Sequence, residues 1–217
     1  MRKKSIKQIL RILPGLVIFA LGVSFAINAG IGLSPWDAFA MGLSYHLPLS
    51  FGMVTNLIAI AIMLIDLILK EKIGLGTLLD AVLTGTFVDV WQMIIDFKTP
   101  QRFIGGAAMM VCGMIIISFG QYLYMSAALS CGPRDLLMVA IGKRFPKAKI
   151  SLVNFGLQAV VMVIGALLGA KIGAGTVIAL AAVSAAMQIV FGLFKFEPRD
   201  VSHDDLLTTL KHLTKDE

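Results

Sequence analysis

Acidic residues, histidine and cysteine are all scarce in this chain, and each scarcity removes a class of function. Of 217 residues only 13 are acidic, three are histidine and two are cysteine. Cys112 and Cys131 show neither CxxC nor Cys/His spacing, so no disulfide framework and no metal site is expected. His46, His203 and His212 fall in a loop and a polar tail, far from one another and from the acids. That leaves no Ser/His/Asp set, and neither an enzyme nor a cofactor is expected. The Gly74-Leu75-Gly76 and Gly173-Ala174-Gly175 turns have no strand before them and no GKS/T ending, which removes a nucleotide site. The period-two alternation of barrel strands is missing as well. Charged residues make up only 15%, and the net charge of +6 sits at the ends of apolar runs. Basic residues placed there are topology signals rather than a nucleic-acid surface.

Apolar sequence is what the chain has in excess: 58% of its residues are hydrophobic. A soluble domain of this size has too little interior to hide that much. Several runs approach the roughly 20 residues with which a helix crosses about 30 Å of hydrocarbon. The expected spans are 12–32, 51–69, 74–97, 103–130, 150–170 and 174–194, making an all-α polytopic bundle in the lipid bilayer. The charged start Arg2, Lys3, Lys4 fits a signal peptide, but the run from Ile12 to Gly32 is too long for one and reads as the first span. Ser34-Pro35-Trp36-Asp37 combines an N-cap serine, a proline at the first helical position and an early acid. It starts a half-helix through Ser44 that is too short to cross. After residue 195 comes a polar tail, with a short amphipathic helix expected at 203–213.

Lysine and arginine set the expected orientation. The N-terminal segment, the loops after spans two and four, and the tail hold all of them except Lys98, Arg102 and Lys171. Both termini are therefore expected in the cytoplasm of a bacterial plasma-membrane protein.

A shift of 98 residues aligns the chain with itself. Gly15 falls on Gly113, Gly22 on Gly120, Pro35 and Asp37 on Pro133 and Asp135, and Asn56 on Asn154. One inserted residue later, the string from Lys72 to Thr77 matches that from Lys171 to Thr176. Residues 12–97 thus form one unit and 103–194 a second within a single membrane domain. Three spans per unit is an odd number, so the second copy is expected upside down, with half-helices after spans one and four. Inverted repeats of this kind underlie alternating access in many secondary transporters.

The repeat also selects the candidate binding residues. Asp37 and Asp135 stand at matched half-helix starts, where free N–H groups attract anions and where a carboxylate also serves as a cap. The symmetry predicts that each caps its half-helix beside the asparagine of the next span. Asn56 and Asn154 need partners in hydrocarbon, from helix packing or from a cavity. Arg134 replaces Trp36 at the matched position as an anchor or anion contact, and Thr77 and Thr176 end the paired strings. Intramembrane acids are costly, which makes Asp80 and Asp89 coupling candidates. Thr77, Asp80 and Thr84 share a face, and Asp89 points away from it. Asp66, four residues before Lys70, reads as half of a surface pair. Gly165, Gly169 and Gly173 form a small-xxx-small ridge, and Gly15, Gly22, Gly113 and Gly120 mark close helix approaches.

Gly30–Asp37, Ser130–Asp135 and the paired KIGxGT strings resemble the YczE/YyaS/YitT family of bacterial membrane proteins, nearest to its YczE branch. The resemblance runs from about residue 10 to 195 and implies a plasma-membrane protein, with no functional residues to transfer. The expected function is a permease-like protein that binds or moves a small polar or anionic solute. The alternatives are a non-transporting accessory protein of a regulatory or biosynthetic complex, and the substrate-binding subunit of a modular vitamin importer. The importer's coupling motif AxxxA is not matched, since Ser24 follows Ala20. A homo-oligomer or membrane partner is left open.

Overall fold

The computed structural model describes residues 2–127, 131–147 and 150–196. The expected helix at 203–213 lies outside the described residues, as does the tail from 197 onward. Among the described residues every regular element is helical: α1 Arg2–Asn28, α2 Pro35–Ser44, α3 Phe51–Ile68, α4 Leu75–Ile94, α5 Phe103–Met125, α6 Pro133–Arg144, α7 Ile150–Leu167 and α8 Ala174–Leu193. The order long, short, long, long occurs twice. α1 begins ten residues earlier than expected and runs through Pro14. A proline inside a helix removes one backbone bond, and here the helix continues on both sides of it.

Within the described residues, four helical stretches are long and apolar enough to cross a membrane: Leu10–Asn28, Phe51–Ile68, Phe103–Met125 and Ala174–Leu193. α4 falls short by that measure because Asp80, Asp89 and three threonines dilute it. The apolar stretch of α7, Leu152–Leu167, is shorter. Many large aliphatic side chains point outward, among them Ile68, Ile104, Leu167, Val177 and Leu193. Outward apolar faces around an interior that holds buried acids invert the soluble pattern and suit a lipid solvent.

The centre is the crossing of α1 and α5, which share the most extensive contact in the molecule. They run antiparallel, with Gly15 opposite Gly120 and Gly22 opposite Gly113. A Cβ on Gly22 would stand 2.7 Å from the Gly113 carbonyl oxygen, so only glycine permits this approach. α4 lies along α1, and α8 along α5. The short helices cross over: α2 packs on α7 and α6 on α3. Each KIGxGT turn holds the segment that leads into the opposite half-helix. The Gly175 amide donates to the Ile31 carbonyl at 2.9 Å, and the Thr77 hydroxyl to the Cys131 carbonyl at 2.8 Å. Helix ends are exchanged the same way. Arg144 donates to the Leu69 carbonyl at 3.3 Å, and the His46 ring meets the Leu168 carbonyl at 3.2 Å.

Two glycine and acid expectations are corrected. Gly165 packs on the α2 backbone and Gly173 on Ile31, but a Cβ added at Gly169 would meet nothing within 4 Å. With φ of +88°, Gly169 ends α7 in a left-handed turn instead of joining a ridge. Asp66 is fully buried rather than paired at the surface, because Lys70 lies past the end of α3 with φ of 61°.

One departure from the matched order stands out. α3 packs along the length of α4, whereas α7 and α8 barely touch.

Candidate functional site

The half-helix starts position the site. Ser34 is the N-cap of α2: its hydroxyl accepts the Asp37 amide at 3.4 Å and donates to the Asp37 carboxylate at 2.5 Å. α6 begins at Gly132 with no side-chain cap, and its Asp135 turns to α5 instead. Gln121 donates to one Asp135 oxygen at 2.9 Å and the Tyr124 hydroxyl to the other. The expected equivalence of the two aspartates therefore fails in their bonding. Positions 23 and 26, which match Gln121 and Tyr124 in the first unit, are valine and alanine and offer no donor.

Both starts open onto one cavity of about 110 Å³ between the two halves of the bundle. Asp37, Asn56, Arg134, Asp135, Asn154 and Asp80 all line it, and so does Trp36. The Arg134 guanidinium lies over the Trp36 ring, 4.9 Å from its centroid, a distance at which the aromatic face attracts a cation. Asp80 reaches in from α4, where Thr84 donates to it at 2.7 Å and its carboxylate lies against Gly132 at the start of α6. Three carboxylates and one guanidinium thus share the space. Among the described residues no carboxylate lies within 4 Å of that guanidinium.

The remaining expected residues lie elsewhere. Thr77 and Thr176 are fully buried helix-start residues; the Thr176 hydroxyl accepts the Gly173 amide at 3.2 Å. Asp89 does not reach the cavity. It accepts the Ser50 hydroxyl at 2.5 Å and the Gly52 amide at 3.0 Å, joining the end of α4 to the start of α3. Asn56 lines the cavity yet spends its amide on the same seam. It donates to the Val82 carbonyl at 2.8 Å and to Thr86 at 3.2 Å, and accepts the Gly85 amide at 2.9 Å. Asn154, its counterpart, has no hydrogen-bond partner among the described residues.

Sequence reasoning missed Gln121, Tyr124, Gln158 and Thr55, all of which line the cavity. Their signal was a polar side chain inside an apolar run, but a search by repeat symmetry passes over residues whose partners are apolar. Among the described residues no group of three or more metal-ligating side chains is placed to hold an ion.

The comparisons with known proteins agree with the helical membrane architecture. Residues 6–191 match the model of a family of unknown function, DUF6198. An uncharacterized protein of Haemophilus influenzae is 30% identical over 187 residues, 86% of this chain and 84% of that one. The uncharacterized membrane protein YczE of Bacillus subtilis is 32% identical over 166 residues, 76% of each chain. The uncharacterized protein YyaS of the same organism is 29% identical over 169 residues, 76% of this chain and 82% of that one. No solved structure matches.

Proposed function

We propose that this chain, which belongs to the DUF6198 family and is similar to a membrane protein of Bacillus subtilis, is a six-span permease-like protein of two inverted units. It binds a small polar solute in the central cavity, performs no covalent chemistry, and sits in the plasma membrane with both termini in the cytoplasm. The observation that carries this reading is the lining of the cavity by matched pairs. Asp37 with Asp135 and Trp36 with Arg134, at the half-helix starts, and Asn56 with Asn154, inside α3 and α7, all come to one space. Discontinuous helices meeting at a repeat interface are the usual setting of a transporter's binding site. The antiparallel α1–α5 crossing supports inversion of the units.

The unequal flanks support alternation. α3 is locked to α4 through Ser50, Gly52, Asn56 and Asp89, while α7 stands away from α8. In the proposed topology the locked end faces outward, so this conformation is closed outside. Asp80, which lines the cavity, then has a better place for coupling than Asp89, which serves the seam.

Val183→Cys on α8, in a background without Cys112 and Cys131, tests this. An impermeant thiol reagent should reach it in inverted membrane vesicles and not in intact cells. Adding Asp89→Ala should open the seam and allow labelling from outside. A cysteine that reacts from neither side, or a reaction that Asp89→Ala leaves unchanged, removes the permease reading.

A further inference from the structure

We infer that the solute of this cavity carries a positive charge on a small organic skeleton; this rests on the solute-binding reading above and narrows it. The charge inventory is the first argument. Among the described residues that line the cavity, Asp37, Asp80 and Asp135 oppose Arg134 alone, an excess of two acidic groups. None of the three is neutralised by an ion pair within 4 Å among the described residues. Their contacts are with neutral donors: Ser34 for Asp37, Thr84 for Asp80, and Gln121 with Tyr124 for Asp135. Arg134 is held over Trp36 instead. Buried charges of one sign call for an opposite charge or for protonation, and a cationic solute supplies the first.

The second argument is independent of the acids. Thr55 is 6% exposed, lines the cavity, and its hydroxyl has no hydrogen-bond partner. A buried hydroxyl left alone is costly, which marks it as waiting for a ligand. Gln158, also 6% exposed and on the lining, has no hydrogen-bond partner among the described residues. Acceptor oxygens on a threonine and a glutamine, beside free carboxylate oxygens of Asp37 and Asp80, suit the several N–H donors of an ammonium group.

Size and lining separate an organic cation from a metal ion. A cavity of about 110 Å³ holds several waters or one small molecule. Hard metal ions gather several carboxylate and carbonyl oxygens at close range, and among the described residues no three His, Cys, Asp or Glu side chains are grouped to hold one. Phe19, Met114, Ile117 and Ala179 give the wall an apolar side on which a carbon skeleton rests.

Propylammonium, propanol and propionate are matched in size and differ in charge. Each is titrated into the purified full-length chain in detergent at constant ionic strength, with sodium as the inorganic control, following thermal unfolding and binding heat. Propylammonium alone should stabilise the protein. Asp80→Asn should weaken its binding about tenfold or more, the scale of one charge-assisted hydrogen bond. Arg134→Gln, which removes a like charge, should strengthen it severalfold. If Asp80→Asn does not fold, the three probes and Arg134→Gln still decide.

Stabilisation by propionate that Arg134→Gln abolishes overturns the cation and leaves a solute site standing. Equal effects of propylammonium and propanol, or of propylammonium and sodium, overturn it too. A response to none of the probes overturns it as well, and the cysteine accessibility at position 183 then judges the solute-binding reading on its own.

Discussion

Each cavity carboxylate meets a neutral donor, and Asp66 on α3 is the one buried acid among the described residues that does not. It is fully buried, and neither oxygen has a hydrogen-bond partner. A buried group in that state forfeits about 1–3 kcal/mol of desolvation. Asp66→Leu should therefore raise the unfolding temperature in detergent; a lower temperature would mean that Asp66 holds a partner. The reverse holds at Tyr124, which is 4% exposed and donates to Asp135. Tyr124→Phe leaves that oxygen alone and should lower stability by about 1–3 kcal/mol in the same assay, with the fold retained. These two cases show why the site was only partly legible. Asp37, Asp135, Asn56 and Asn154 announce themselves by recurring at one offset, and all four do line one cavity. Gln121, Tyr124, Gln158 and Thr55 have no polar counterpart in the other unit, so only folding reveals where they point. Asp66 misled because the four-residue spacing to Lys70 implies a helical pair, and the helix ends before it can form.

Elements were more legible than their pairings. Ser-Pro-x-Asp is a local signal, and α2 starts at Pro35 with Ser34 as its cap. The crossing of α2 onto α7 and of α6 onto α3 is a long-range arrangement that no periodicity encodes. The unequal seams are readable only in retrospect. The first unit places Gly85, Thr86 and Asp89 where the second places Ser184, Ala185 and Gln188. A Cβ on Gly85 would stand 2.1 Å from the Gly52 carbonyl oxygen, so α3 and α4 touch backbone to backbone. Gly85→Ala must push these helices apart, and overpacking of this kind typically costs about 1–3 kcal/mol. The expected outcome is a loss of thermal stability together with faster outside labelling of a cysteine at position 183. Stability lost with no change in labelling would make the seam a packing contact and not a closure.

The molecule as a whole turns on whether its halves are inverted across the bilayer. The short helices offer the cleanest probes, because their ends are exposed and sit at matched places. Tyr45 follows α2 and is 55% exposed, and Lys147, also exposed, follows α6 in the other unit. Thr99, between α4 and α5, is exposed on the side where the chain passes from one unit to the next. The antiparallel crossing of α1 with α5 puts Asn28 and Met125, where those two helices finish, at opposite ends of that pair. Basic residues argue for the same separation: Lys143, Arg144 and Lys147 cluster around the end of α6, and no lysine or arginine lies between Arg11 and Lys70. Positive charge is retained on the cytoplasmic side, so the proposed topology puts the end of α6 there and the end of α2 outside. Single cysteines at positions 45 and 99 should then react with an impermeant reagent in intact cells, and one at 147 only once the membrane is opened. If 45 and 147 label alike from outside, the units are not inverted. A cavity built from matched residues would then have no symmetry with which to open alternately to the two sides.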